Sequence, residues 1–218
     1  MDQLDHIVWA TNDPSKVGDW VYAQSGVRPV HGGVHQGFGT RNDLVGIRGA
    51  DQYVEFIYPD PDQPHSGTLA EPISKLRMGG LYHWAVRGRD LPEIHAQAEK
   101  LGIKSSGVLK ASRQTETGAL LQWELVFLGD HGFGALMPFF IDWKDCPHPS
   151  STLPDAGALA HFALQTPDPK PLEIALKNLG VGVNIEHAKH SSIHVEMKFE
   201  GERVRLPVAE PFTNGFVL

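Results

Sequence analysis

The chain has 218 residues, 41% of them hydrophobic and 21% charged, which is a composition typical of a globular protein. Its net charge of −7 and its lack of a Lys/Arg cluster argue against nucleic acid as a partner, and no apolar run approaches the roughly 18–20 residues of a membrane span. A single cysteine, Cys146, excludes an intramolecular disulfide, so we expect a cytoplasmic protein that acts on a small molecule, with no nucleic-acid or membrane partner.

An internal repeat organises the chain. Three stretches, which begin at Leu4, Leu81 and Leu159, each read as a short strand, a polar turn, an amphipathic helix and a glycine. Each first strand carries a histidine at the same place, and these histidines are 77 and then 78 residues apart: His6, His83 and His161. The spacing indicates three copies of one structural unit.

Each repeat predicts the same series of elements. The first helix is expected to follow Asn12 or Asp13, and the other two Asp90 and Asp168, because Asn and Asp favour helix starts. All three are expected to end at glycines, which favour helix ends. Turn residues then separate three further strands in each copy. We expect these strands near residues 33–39, 44–48 and 52–58, near 108–112, 119–128 and 135–142, and near 182–186, 192–199 and 203–208. The predicted unit is therefore β-α-β-β-β.

The predicted fold class is α+β, with tandem β-α-β-β-β units that form a cupped mixed sheet. Residues 1–150 hold two paired units, at 1–66 and 78–145, and residues 156–218 hold a third, shorter unit. The proline-rich stretch Cys146–Gly157 is typical of a linker. Because the third unit follows this linker and its last strand is short, we expect it to pack outside the cup.

Five segments resemble the glyoxalase-like domain family of the vicinal oxygen chelate superfamily, which also contains glyoxalase I, extradiol dioxygenases and antibiotic-resistance proteins. They are LDHIVWAT, GGVHQGFGTRNDL, YVEFI, SRQTETGALLQWEL and MPFFIDW, and the likeness spans residues 4 to about 150. The resemblance implies a cup made by two units related by a pseudo-twofold. It also implies a small-molecule site inside the cup, often with a divalent metal on its floor.

Strand alternation places a possible metal site in this cup. His6 shares a strand face with Val8, His83 shares one with Ala85, and Glu55 lies between Tyr53 and Ile57, so the three side chains can converge. Two imidazoles and one carboxylate form the donor set of a facial triad for Fe, Mn, Ni or Zn. We therefore expect His6, Glu55 and His83 as metal ligands, with Glu55 also catalytic.

Structural roles remain an alternative for each of these residues. A histidine inside a sheet is often hydrogen-bonded to its neighbours, and a strand glutamate is often solvated or ion-paired. The resembling family also has a fourth ligand in the second unit, where this chain reads Met137 to Phe140. His161 lacks a carboxylate on the last strand of its own repeat, which favours a structural role, and the histidines in EHAKHSSIH favour a solvated surface.

The resemblance implies further contacts to a bound molecule. The predicted ligand-binding residues are a polar group from the first unit, an arginine that can clamp an anion, and two aromatic residues: His35, Thr40, Asn42, Arg113, Trp123 and Phe140. Turn formation is the alternative role for Thr40 and Asn42, and a surface position is the alternative for Arg113. Glu124 is a reserve ligand or base, because alternation does not fix which face of its strand points inward.

Three functions fit these patterns. The first is a divalent-metal-dependent lyase, isomerase or dioxygenase whose substrate chelates the ion through adjacent oxygens. The second is a non-catalytic binding or sequestration protein that uses the same cup. In the third, the cup has lost its function and the third unit forms a subunit contact, which would give a homodimer.

Overall fold

The computed structural model describes residues 4–88, 90–114 and 120–212, and the side chains of Arg113 and Gln114 lie outside this description. The first unit consists of β1 (Leu4–Ala10), α1 (Pro14–Ser25), β2 (Val30–His35), β3 (Thr40–Ile47) and β4 (Tyr53–Pro59), and α2 (Ala70–Ser74) leads to the second unit. The second unit consists of β5 (Gly80–Arg87), α3 (Leu91–Lys100), β6 (Lys104–Ser105), β7 (Leu109–Gln114), β8 (Leu120–Val126), β9 (Leu128–Gly129) and β10 (Phe139–Asp142). The third consists of β11 (Asp155–Thr166), α4 (Pro169–Asn178), β12 (Ile185–His187), β13 (Ser192–Phe199) and β14 (Glu202–Arg205). None of the described helices is long and apolar enough to cross a membrane.

The sheet joins the first two units at their first strands. β1 pairs antiparallel with β5, and each of these strands pairs parallel with the last strand of its own unit, β4 or β10. The strand order β3-β4-β1-β5-β10-β8-β7, with β2 paired to β3, is symmetric about the β1–β5 contact. The predicted α+β class and mixed sheet are confirmed.

The two faces of this sheet carry two apolar clusters. The convex face packs beneath α1 and α3 and includes Ile7, Trp9 and Trp84. The concave face includes Val8, Tyr53 and Phe139. Because side chains alternate along a strand, one sheet supplies both a helix-covered core and the wall of a cup.

Two β-bulges interrupt the alternation that the sequence predicts. On β1 the register shifts between Leu4 and His6, and the pairing of Val8 with His83 and of Trp9 with Leu81 leaves Tyr82 as an extra residue on β5. A bulge leaves one residue unpaired and re-aims its neighbours. Tyr82 therefore packs on the concave face, although strict alternation along β5 would place it on the same face as Trp84.

The third unit covers the convex face. β11 pairs parallel with β3 through Asp155 and Gly157, and β13 carries Val195 and Phe199 into the same cluster as α4. Phe162 contacts Trp84 with ring centroids 5.3 Å apart, and Phe199 contacts Trp20 at 6.1 Å. The third unit thus lies outside the cup, as predicted.

Asp90→Ala is expected to destabilise the protein by about 1 kcal/mol, the usual cost of removing a helix cap. The Asp90 carboxylate accepts a hydrogen bond from the backbone N–H of Glu93 at the start of α3. Asp168 holds the same position before α4 without a side-chain cap bond, so Asp168→Ala is the matched control. It should lose at most about 0.5 kcal/mol from the helix dipole. Urea unfolding measures both, and equal losses would contradict the prediction.

Candidate functional site

A cavity of about 280 Å³ opens on the concave face. Aromatic and aliphatic side chains make most of its wall, and a small polar group forms one end. The lining residues are Phe38, Leu44, Tyr53, Ile57, Leu69, Trp123, Leu125, Phe127, Phe139, Ile141 and Trp143, with His6, His35, Gln36, Asn42, Glu55, Lys110, Ala111 and Ser112. A mostly apolar cavity with a few convergent polar groups is typical of a small-molecule site.

The polar end is built around the carboxylate of Glu55 on β4. His6 Nε2 lies 3.5 Å from Glu55 Oε2, and His35 Nε2 lies 3.7 Å from Glu55 Oε1. Asn42 Nδ2 donates a 2.6 Å hydrogen bond to Glu55 Oε1. β1, β2, β3 and β4 each contribute one of these groups, so the rigid sheet of the first unit sets their spacing.

Asp5 contacts the His6 ring on the side away from Glu55. The carboxylate of Asp5 is buried and accepts a 2.8 Å hydrogen bond from His6 Nδ1, which leaves Nε2 directed at Glu55. Arg87 Nε and Trp143 Nε1 also donate to Asp5, at 3.1 and 3.3 Å, and His148 Nε2 lies 3.2 Å away. The bulge on β1 explains how neighbouring residues of one strand reach each other.

Opposite charges dominate the titration of this group. Burial disfavours the charged His6 ring, but hydrogen bonds and charges from Asp5 and Glu55 outweigh it and raise the pKa of His6 to about 9. Burial likewise raises the pKa of Glu55, but His6, with His35 and Asn42, lowers it to about 2 overall. The pKa of Asp5 falls well below its ordinary value against the same penalty, through His148 and His6. At neutral pH the site holds a His6 imidazolium between two carboxylates.

Protein stability should therefore decline between about pH 6.5 and 9. The pKa of His6 is about 9 in the fold and about 6.5 when unfolded, so its contribution is complete below pH 6.5 and is lost as the pH rises through 9. We expect the urea midpoint of the wild type to fall between pH 6.5 and 9.5. His6→Gln should flatten this slope even though it lowers stability overall, and an unchanged slope in the variant would contradict the assignment.

Comparisons with known proteins identify the fold. The sequence model of the glyoxalase-like domain family matches residues 4–180, which is most of the chain. The chain belongs to this family. The match includes β11 and α4 of the third unit, beyond the residues where the resemblance is visible in the sequence. The family is part of the vicinal oxygen chelate superfamily.

Three solved structures of similar fold are distant from this chain in sequence. A hypothetical protein from Staphylococcus aureus has 14% identity and a TM-score of 0.66, with 93% of this chain and 83% of that chain covered. Methylmalonyl-CoA epimerase from Mycobacterium tuberculosis has 19% identity and a TM-score of 0.50, over 69% and 92%. A variant of the Streptomyces coelicolor methylmalonyl-CoA epimerase, solved with 2-nitronate-propionyl-CoA, has 17% identity and a TM-score of 0.50, over 68% and 99%. No curated protein matches the chain.

The structure places most of the predicted residues of the first unit of this glyoxalase-like domain at the cavity. His6, His35, Asn42 and Glu55 line it. Thr40 is buried beside it, and its Oγ1 lies 2.9 Å from His35 Nδ1, so Thr40 contacts the cavity through His35.

The predicted second-unit residues are more scattered. Trp123 lines the cavity. Phe140 instead packs in the convex cluster, and its neighbour Phe139 lines the cavity, because alternate residues of β10 face opposite sides of the sheet. Glu124 pairs with Lys144 at 3.0 Å and is not a lining residue. Arg113 is on β7, and its side chain lies outside the described part of the structure.

His83 is buried beneath the cavity wall rather than at its surface. Its ring stacks on Phe139 with centroids 5.3 Å apart, and it is not a lining residue. Burial, with the charges of His131 and His6, lowers the pKa of His83 to about 3, so the ring is neutral at physiological pH.

The superfamily implies a divalent ion, which needs donor atoms that reach one point. For bonds of about 2.1 Å, two ligand atoms of one ion are at most about 4.2 Å apart. Among the described residues, the one group of at least three His, Cys, Asp or Glu with ligand atoms within 4.8 Å of one another is His161, Glu186 and His194, in the third unit. The donors at the cavity therefore do not fit a common ion as they are placed. The metal role of His6, Glu55 and His83 stays a prediction.

The residues that hold His6 in place were not expected from the sequence. Strand alternation alone places Asp5 on the face opposite His6, and the proline-rich stretch Cys146–Gly157 predicts a linker around His148. His148 instead contacts Asp5, Tyr53 and Trp143, with ring centroids 5.6 and 5.9 Å from the two aromatic rings. The available signal was an acidic residue next to a histidine within an otherwise apolar strand, LDHIVWA.

Proposed function

We propose that this glyoxalase-like protein binds a small, largely apolar carbonyl compound in its cup and moves a proton at the carbon beside the carbonyl group. The observation that carries the proposal is the His6–Glu55 pair, backed by Asp5, at the end of an aromatic cavity. Such a reaction would make the protein an isomerase or lyase. Methylmalonyl-CoA epimerase from Mycobacterium tuberculosis has a similar fold. From this likeness we carry over to this chain only that the bound molecule is small.

The proposed roles follow from charge and position. Glu55 is the one carboxylate among the described lining residues, and its low pKa keeps it ionised and ready to accept a proton. The His6 imidazolium can stabilise negative charge that develops on the carbonyl oxygen. Asp5 fixes the His6 ring orientation through Nδ1, so Asp5 is a positioning residue. His6 and Glu55 are both buried, and burial strengthens the electrostatic interaction between them.

A second candidate function is binding without reaction. Glu55 already has His6 and Asn42 as partners, and a carboxylate with a pKa of about 2 is a weak base at neutral pH. These features also suit a protein that sequesters an apolar molecule in the cup.

Hydrogen exchange in D₂O separates the two functions. The protein is incubated with a panel of small alkyl and aryl ketones, 2-oxo acids and thioesters, and loss of the proton signal beside the carbonyl is followed by NMR. Exchange above the buffer rate supports catalysis. A raised melting temperature without exchange for any panel member supports sequestration.

A chelator in the same assay tests the predicted metal role. Exchange that persists in EDTA supports proton transfer by the side chains alone. Exchange that stops in EDTA and returns with a single divalent ion would assign the step to a metal in the cup.

A further inference from the structure

A second cluster of polar side chains lies on the exposed face of the third unit. His161 on β11, Glu186 on β12 and His194 on β13 meet there. His161 Nε2 lies 3.0 Å from Glu186 Oε1, and His194 Nδ1 lies 3.4 Å from Glu186 Oε2. The two imidazole rings have centroids 4.7 Å apart. The two distances between histidine nitrogen and Glu186 oxygen match those between neighbouring ligands of one ion, about 3.0–3.5 Å for bonds of about 2.1 Å. The ligand atoms of the three residues all lie within 4.8 Å of one another.

The strand pairing explains why the three residues converge. His194 lies opposite Ala163 on β11, and Glu186 lies opposite Gln165, two residues further along. His161 precedes Ala163 by two residues and therefore shares its strand face. Ala163 has only a methyl side chain, so it leaves room above it for the rings of His161 and His194 to approach each other. The opposite face of β13 is buried in the convex core through Ile193 and Val195, so the cluster sits on a fixed support.

Neighbouring groups hold the cluster in orientation. Gln165 Nε2 donates to Glu186 Oε2 at 2.9 Å, and Asn184 Nδ2 donates to Glu186 Oε1 at 3.2 Å. His194 Nε2 lies 3.4 Å from Glu196 Oε1, on the side of the ring away from Glu186. The two atoms do not form a hydrogen bond at this distance, although a carboxylate that accepts one from the second ring nitrogen is a common outer partner of a histidine metal ligand. Gln165 Nε2 also lies 3.2 Å from His194 Nδ1, and an ion at Nδ1 would replace that contact.

We propose that His161, Glu186 and His194 bind a divalent zinc ion. Two imidazoles and one carboxylate are a donor set of zinc sites that keep a position open to water, and imidazole ligands favour zinc over magnesium or calcium. The side chains of His161 and Glu186 are each about one-third exposed, so solvent can supply the remaining ligand. The ion would link β12, a strand of three residues, to β11 and β13. This site is separate from the cup and does not depend on the proposed function.

Zinc titration of the metal-free full-length chain tests the proposal. Isothermal calorimetry and the absorption bands of a Co²⁺-substituted sample report binding, and zinc should raise the melting temperature. Glu186→Gln and the double variant His161→Ala/His194→Ala should each weaken the site by about 100-fold or more, since even outer-shell changes cost about 10–100-fold. His187→Ala is the matched control, because His187 is the next residue of β12 and is exposed.

The outcomes also separate this site from the cup. Zinc binding that survives in Glu55→Gln and is lost in Glu186→Gln supports the proposal. Zinc lost in Glu55→Gln and kept in Glu186→Gln would place the ion in the cup and overturn it. A wild type that binds no zinc would show a hydrogen-bonded cluster only, and would also overturn it. Melting of each variant without zinc checks folding, and Glu186→Gln serves as the test if the double variant does not fold.

Discussion

Asp5→Ala is expected to lower the free energy of unfolding by about 3–5 kcal/mol, the usual cost of removing one partner from a buried charged group. Asp5 is fully buried and accepts hydrogen bonds from His6, Arg87 and Trp143. Alanine would leave the imidazolium of His6 without its nearest anion, and the ring would lose its proton or its position. Urea unfolding at pH 7 measures the loss.

Asp19→Ala is the control for Asp5→Ala. It removes the same charge from an exposed pair with Arg28, where the expected loss is below about 1 kcal/mol. Asp5→Asn keeps the shape of the side chain and should fall between the two variants. If Asp5→Ala and Asp19→Ala lower the free energy of unfolding by the same amount, the buried contacts of Asp5 contribute little. That result would also contradict the positioning role of Asp5 in the cup.

Glu55→Gln is expected to slow carbon-bound hydrogen exchange by about 10²–10⁴-fold, the range of a general base contribution. Glutamine has nearly the same shape and can still contact Asn42, but its amide does not accept a proton at neutral pH. The loss of the anion should also lower the pKa of His6 towards its ordinary value, because Glu55 is one of the groups that raise it. NMR exchange rates and calorimetric ligand affinity, measured on one sample, separate chemistry from binding.

Glu124→Gln is the control for Glu55→Gln. Glu124 is also a strand glutamate, but it pairs with Lys144 outside the cavity. The hydrogen exchange rate of the Glu124→Gln variant should therefore match that of the wild type. Full exchange in Glu55→Gln would remove Glu55 from the proposed mechanism. Ligand affinity that falls as far as the rate would mean that Glu55 binds the molecule and does not react with it.

The repeat in the sequence predicted the architecture well, because each copy carries an Asp before its helix, a glycine after it and an apolar pattern within it. Those are local signals, and they also placed His6 and Glu55 on one face. The location of His83 was harder to predict. Its direction depends on a bulge that is visible only once β5 pairs with β1, and Phe139 from another strand covers its ring.

Long-range contacts account for the other residues that the sequence did not reveal. His148 was expected in a linker because prolines surround it, yet it reaches Asp5 across 143 positions of chain. His161 was expected to lack a carboxylate partner because the last strand of its repeat carries none, but Glu186 on β12 supplies one. The cytoplasmic location, the homodimer and the predicted domain boundaries stay predictions.

The pairing of β11 with β3 bears on how the protein can be shortened. An expression clone that stops after Trp143 would keep every described lining residue of the cavity but would lose Phe162 and Phe199. Trp84 and Trp20 would then face water along with an open stretch of β3 backbone, a combination that promotes aggregation. A soluble minimal cup would therefore need polar replacements on the outer surface of its sheet.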